Sequence, residues 1–160
     1  MSTLLSLANR GVIERLRIEL EPHDQIMRRL YARKEAIDDL RNNIRGEPSD
    51  WHRELTPAEQ VYDIFVQFVA GHRMDWPDDF HVLRRHEDGI WELRPTDVRI
   101  FGWFPERDAF LVTNVDMKNR VVSKGLYPHY CREAISFRDG LDLDAPKFLT
   151  GVEPRDVISD

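Results

Sequence analysis

Two very short connections constrain this chain more than any other feature of it. Strand-like runs at Ile90–Arg94, Val98–Phe104 and Ala109–Met117 are separated by Pro95-Thr96-Asp97 and by Pro105-Glu106-Arg107-Asp108. Connections this short can only return the chain antiparallel, because parallel neighbours need a long crossover. The spacing therefore predicts an antiparallel three-strand meander. Along the middle run, Val98, Ile100, Gly102 and Phe104 share one face, and Arg99, Phe101 and Trp103 share the other. On a sheet covered by helices, alternating aromatics are core, so Trp91, Phe101 and Trp103 read as packing residues.

A helix to cover that sheet is announced upstream. Thr56 is a good N-cap, Pro57 suits the first helical position, and Glu59 completes a capping box. Val61, Ile64, Phe65, Phe68 and Val69 form a wide apolar stripe, and Gly71 offers a C-cap. Further upstream, Leu16, Ile18 and Leu20 alternate with Arg17, Glu19 and Glu21, which predicts a strand ended by Pro22. From Asp24, the spacing of Ile26, Leu30, Ile37, Leu40 and Ile44 predicts an amphipathic helix that stops near Gly46 and Pro48. An alternative joins residues 12–21 to that helix, with Pro22 specially placed. Pro128 begins a last helix containing Tyr130, Cys131, Ala134, Ile135 and Phe137. The acidic remainder from Asp139, with Leu141, Leu143, Phe148 and Leu149, is expected to wrap the surface. The whole reads as one α+β domain over 1–160. It has an N-terminal helical part (1–75), a β-meander core (80–125) and a C-terminal helix with an acidic tail (128–160).

Composition narrows the functional classes. A lone cysteine, Cys131, excludes an internal disulfide framework and a CxxC zinc site, and fits a reducing compartment. No apolar segment approaches membrane-spanning length, and Met1–Gly11 lacks the pattern of a signal peptide, so a cytoplasmic location is expected. The net charge of −6 argues against a protein that coats nucleic acid. Its distribution is uneven. Residues 81–132 carry +2, whereas 1–80 and 133–160 carry −4 each. The cationic region coincides with the expected sheet and permits RNA contact.

The order strand, helix, helix, meander, helix accompanies a specific segment. Asp88-Gly89-Ile90-Trp91-Glu92-Leu93-Arg94 followed by Val98-Arg99-Ile100-Phe101 resembles the Gly-[Leu/Ile]-Trp-Glu-Leu-Arg hairpin of HigB-type and phage-derived toxins of the RelE superfamily. Met117-Lys118-Asn119-Arg120 and Ser123-Lys124 look like the basic stretch that follows it in that family. The resemblance covers residues 80–125, and elsewhere it is one of element order. It implies a RelE-like α+β fold, with an antiparallel sheet, two preceding helices and a C-terminal helix. It also implies a type II toxin, a metal-independent endoribonuclease that cuts mRNA on the ribosome without a cofactor and is held by a helix-turn-helix antitoxin.

That reaction sets the residue types to look for. A base takes the ribose 2′-hydroxyl proton, the oxygen attacks the adjacent phosphate, and an acid protonates the leaving 5′-oxygen. Cations stabilise the charge on the phosphoryl oxygens, and aromatics hold an unstacked base. On this reading Arg99, Lys118 and His129 are the catalytic candidates, His129 because a histidine exchanges protons near neutrality. Arg94, Arg120, Lys124, Tyr127, Tyr130 and His86 are candidates for substrate contact. The bland alternatives are surface pairing of Arg94 and Arg99 with Glu92, Asp97 or Asp116, solvation of Lys118, Arg120 and Lys124, and packing of Tyr130. No metal ligands are expected among the histidines, whose spacing suits no zinc pair. Three features depart from the family: the length, the acidic tail and a pI near 5.5. They support a second reading, a noncatalytic phage-derived interaction module on the same scaffold, with the tail occupying the basic face or recruiting a protein.

Overall fold

The computed structural model describes residues 1–51, 53–75, 78–83 and 88–159. Six strands form one sheet: β1 (Glu14–Arg15), β2 (Arg29–Ala32), β3 (Phe80–Val82), β4 (Ile90–Leu93), β5 (Val98–Glu106) and β6 (Ala109–Met117). Their spatial order is β1-β2-β6-β5-β4-β3. The helices are α1 (Leu4–Asn9), α2 (Lys34–Asp39, continued by a π turn at Leu40–Ile44), α3 (Pro57–Val69), α4 (Lys118–Ser123), α5 (Tyr127–Gly140) and α6 (Pro154–Val157).

The meander forms as its short turns require. β4, β5 and β6 pair antiparallel in sequence, with Ile90 opposite Trp103 and Val98 opposite Met117. The sheet as a whole is mixed, which corrects the expectation of an antiparallel one. β2 lies parallel to β6, from Arg29 opposite Ala109 to Ala32 opposite Val112. The long intervening chain supplies the crossover that parallel pairing needs.

The amino-terminal expectations need the larger correction. The strand expected at residues 16–21 is present only at Glu14–Arg15, with Leu16 N–H donating to the Leu30 carbonyl just beyond it. The helix expected from Asp24 begins at Lys34, because Arg29–Ala32 is a strand. Ile26 and Leu30 matched a helical repeat by coincidence: Ile26 is exposed, while Leu30, Tyr31 and Ala32 are all buried in succession. Consecutive burial on both faces is the mark of an interior strand.

Helices cover both faces. α2 and α3 pack on one side with Ile44, Phe65, Phe68, Val98, Ile100 and Phe104, and α1, α4 and α5 pack on the other with Leu7, Phe101, Trp103, Val121 and Ala134. The alternation along β5 is thus the one expected. α3 starts as its sequence dictates, with a reciprocal capping box between Thr56 and Glu59 and Pro57 in the first turn. Gly102 lets β5 and β6 approach, since a Cβ there would lie 2.1 Å from the Leu111 carbonyl oxygen. The acidic tail is built into the domain. Leu141 and Leu143 join the α5-side core, while Val157 and Ile158 reach the α3-side core. Arg138 holds the tail between these points by lying 3.8 Å over the Phe148 ring.

Candidate functional site

Polar side chains interrupt the α5-side core at one end of the sheet. On β4, Ile90 and Glu92 alternate with Trp91 and Leu93, so Glu92 takes an inward position and is 1% exposed. A buried carboxylate needs partners. His81 stands opposite it on β3, with Nε2 2.6 Å from Glu92 Oε1, and Arg94 Nε lies 3.3 Å from the same oxygen. Glu92 Oε2 has no hydrogen-bond partner among the described residues. Arg99, on the neighbouring strand, is 4% exposed, and its Nη1 donates to the carbonyls of Pro95 and Val98 at 2.7 and 2.8 Å. The Tyr127 hydroxyl, from the first residue of α5, completes the group. Burial and the Glu92 charge push its pKa up, while a hydrogen bond and the charge of Arg99, with Arg94, draw it down.

A second carboxylate lies opposite Arg99 in the sheet. Asp116 accepts from Tyr130 Oη at 2.6 Å through Oδ2, and from Arg120 Nη1 at 2.6 Å and its neighbour Met117 N–H at 2.8 Å through Oδ1. Its inward direction depends on an irregularity. Phe101 pairs with Asn114 and Gly102 with Val112, leaving Thr113 as an extra residue on β6. That bulge reverses the alternation beyond it, turning Asp116 toward Tyr130 of α5 and Val115 into the α3-side core. Burial and the Asp116 contact push the Tyr130 hydroxyl well above the ordinary tyrosine pKa.

Of the residues expected from sequence, Arg94, Arg99 and Tyr127 gather around Glu92, and Arg120 and Tyr130 around Asp116. The others lie elsewhere. Lys118 opens α4 and places Nζ 5.1 Å over the exposed Trp51 ring. His129 is exposed and meets the Tyr130 ring edge-on, with centroids 5.2 Å apart. Lys124 is exposed at the end of α4, and His86 lies outside the described residues. The sequence reading missed the His81–Glu92 pair. Its signal was present in the alternation Ile90, Glu92, Arg94, which puts charge at a core-facing strand position.

The group holds a carboxylate-imidazole pair that can pass a proton, two guanidinium groups that can oppose developing negative charge, and a phenol that retains its proton. Among the described residues, no three His, Cys, Asp or Glu side chains are grouped to hold a metal ion, and no helix is long and apolar enough to cross a membrane. Protein-family models, curated proteins and solved structures gave no match to this chain.

Proposed function

We propose that this protein is a ribosome-dependent, metal-independent mRNA endoribonuclease of the RelE/HigB kind, the toxin of a type II pair whose partner is a helix-turn-helix antitoxin in the cytoplasm. The observation that carries the reading is the convergence of His81, Glu92, Arg94, Arg99 and Tyr127 on one end of the sheet, around the hairpin that resembles that family. His81 accepts the 2′-hydroxyl proton, and Glu92 orients the ring and stabilises the imidazolium that forms. Arg94 and Arg99 oppose the charge that builds on the phosphoryl oxygens. Tyr127, whose pKa is raised, stays protonated to serve the leaving 5′-oxygen. His81 thereby takes the proton-moving role that sequence alone gave to His129.

A second reading, the noncatalytic interaction module, is favoured by the burial of Arg99 and the use of its Nη1 on backbone carbonyls. Expression of the protein alone, with cleavage assayed on programmed ribosomes, separates the two. The nuclease reading expects growth arrest and cut transcripts. His81→Ala and Arg99→Ala, confirmed folded by circular dichroism, should each slow cutting by roughly a hundred- to a thousand-fold. His129→Ala should leave cutting nearly intact. A folded wild-type protein that neither arrests growth nor cuts mRNA would favour the binding module instead.

A further inference from the structure

At the opposite edge of the sheet, a groove of about 640 Å³ runs around β1 between α1 and α2. Arg15, Arg17, Lys34 and Arg41 line it, and all four are exposed. None of the four has a carboxylate partner or a side-chain hydrogen bond among the described residues. Several cations elsewhere in the fold are paired. Arg28, Arg29, Arg33 and Arg120 all sit against carboxylates. The groove's own acidic residues, Glu14 and Asp38, are outnumbered two to one, in a chain whose net charge is −6.

Apart from Asn9 and Gly11, the rest of the lining is aliphatic. Leu5 and Val12 are 59% and 46% exposed, which is high for side chains of their size, and Ala8, Ile13 and Ile37 lie beside them. No aromatic residue lines the groove. Single-stranded nucleic acid is held by cations together with aromatic platforms on which bases stack, and the second component is missing here. Unpaired cations around an aliphatic floor instead complement carboxylates carried beside aliphatic side chains. An amphipathic helix offers that combination, laying its apolar face into a groove while charges meet along the rim.

We propose that this groove receives an acidic amphipathic helix from a partner protein. Leucine-like side chains of the helix rest on Leu5 and Val12, and its carboxylates meet Arg15 and Arg17 on one side and Lys34 and Arg41 on the other. The inference stands independently of the nuclease reading, because the groove shares no residue with the His81–Glu92 group.

A fluorescein-labelled peptide of about 18 residues, long enough to form a helix, tests it. Leucines are placed at helical spacing and glutamates fill the opposite face. Fluorescence anisotropy with the intact protein should show binding in roughly the micromolar range at low salt. Scrambling the same residues should weaken it about tenfold or more, as should raising the salt to about 0.5 M. Arg15→Glu with Arg17→Glu, Lys34→Glu with Arg41→Glu, and Leu5→Asp should each weaken it similarly. Arg53→Glu with Arg132→Glu, which places the same charge change outside the groove, should stay within about twofold. The proposal is overturned if the patterned peptide does not bind, if its scrambled form binds equally, if Arg53→Glu with Arg132→Glu loses as much, or if a uridine oligonucleotide binds more tightly and competes it away.

Discussion

Replacing Tyr130 by Phe removes one oxygen and keeps the ring that stacks on Phe101 with centroids 4.9 Å apart. The hydroxyl donates at 2.6 Å to Asp116 Oδ2, and the carboxylate is 2% exposed. A hydrogen bond to a charged group contributes about 1.5–3 kcal/mol. Arg120 and the Met117 N–H both remain, but both serve Oδ1, so Oδ2 loses the hydroxyl that satisfied it. The expected loss is therefore about 2–3 kcal/mol at neutral pH, read from urea unfolding with an unchanged m-value. The pH dependence supplies a second check. Below a pH of about 10, the ordinary tyrosine value, this group is protonated in both folded and unfolded chains and adds no slope. Above it the unfolded chain releases the proton first, since the folded pKa is raised, and wild-type stability falls by up to about 1.4 kcal/mol per pH unit. Tyr130→Phe lacks that slope, so the gap between the two proteins should narrow above about pH 10. A difference under about 0.5 kcal/mol at pH 7, or a gap that widens in alkali, would refute the role given to this hydrogen bond.

Phe68 is fully buried, with its ring near Phe104 and Phe110 and the Arg28 guanidinium 5.4 Å above it. Phe68→Ala should cost about 3–5 kcal/mol in urea unfolding, and a loss below about 1 kcal/mol would place the α3 stripe outside the core. Thr56→Ala removes one half of the capping box and should cost about 1 kcal/mol by the same assay, with the fold unchanged by circular dichroism. Gly102→Ala forces a Cβ against backbone rather than a movable side chain, and should destabilise by at least about 1–3 kcal/mol. Normal stability in that variant would show that β5 and β6 can separate locally.

The parts of the fold that were legible are those whose signals are local. Thr56, Pro57, Glu59 and Gly71 mark both ends of α3 within the helix's own neighbourhood. Two short turns sufficed for the meander, and the alternation of β5 assigned its faces. β2 was hidden because its pairing partner lies about eighty residues away, and nothing in Arg29–Ala32 itself outweighs a chance helical repeat. The basic stretch that follows the meander carried no helix assignment, yet Lys118–Ser123 turns into α4 directly after β6. At the site, Arg94, Arg99 and Tyr127 could be singled out from the hairpin and from the start of α5. Glu92 could be named as a pairing partner of Arg94, but neither its contact with His81 nor the inward direction of Asp116 could. Glu92 meets His81 only once β3 pairs with β4, and Asp116 points inward only because Thr113 is left out of register. Registers and bulges belong to pairs of strands, and a reading along one strand does not contain them.

The place of β2 between β1 and β6 has a consequence for dividing this molecule. Residues 90–117 form a complete meander, yet without Arg29–Ala32 the β6 backbone presents a row of unsatisfied donors and acceptors beside Phe110, Leu111 and Val112. A chain opened near Gly46 would yield two pieces, one carrying the missing strand and the other its vacant edge. Those pieces should recombine when mixed, as a split protein does. Kept apart, the larger one would capture a strand from any neighbour that offered a suitable sequence. The same edge would be uncovered by anything that drew β2 out of the sheet, so β2 guards the fold against self-association as well as completing it.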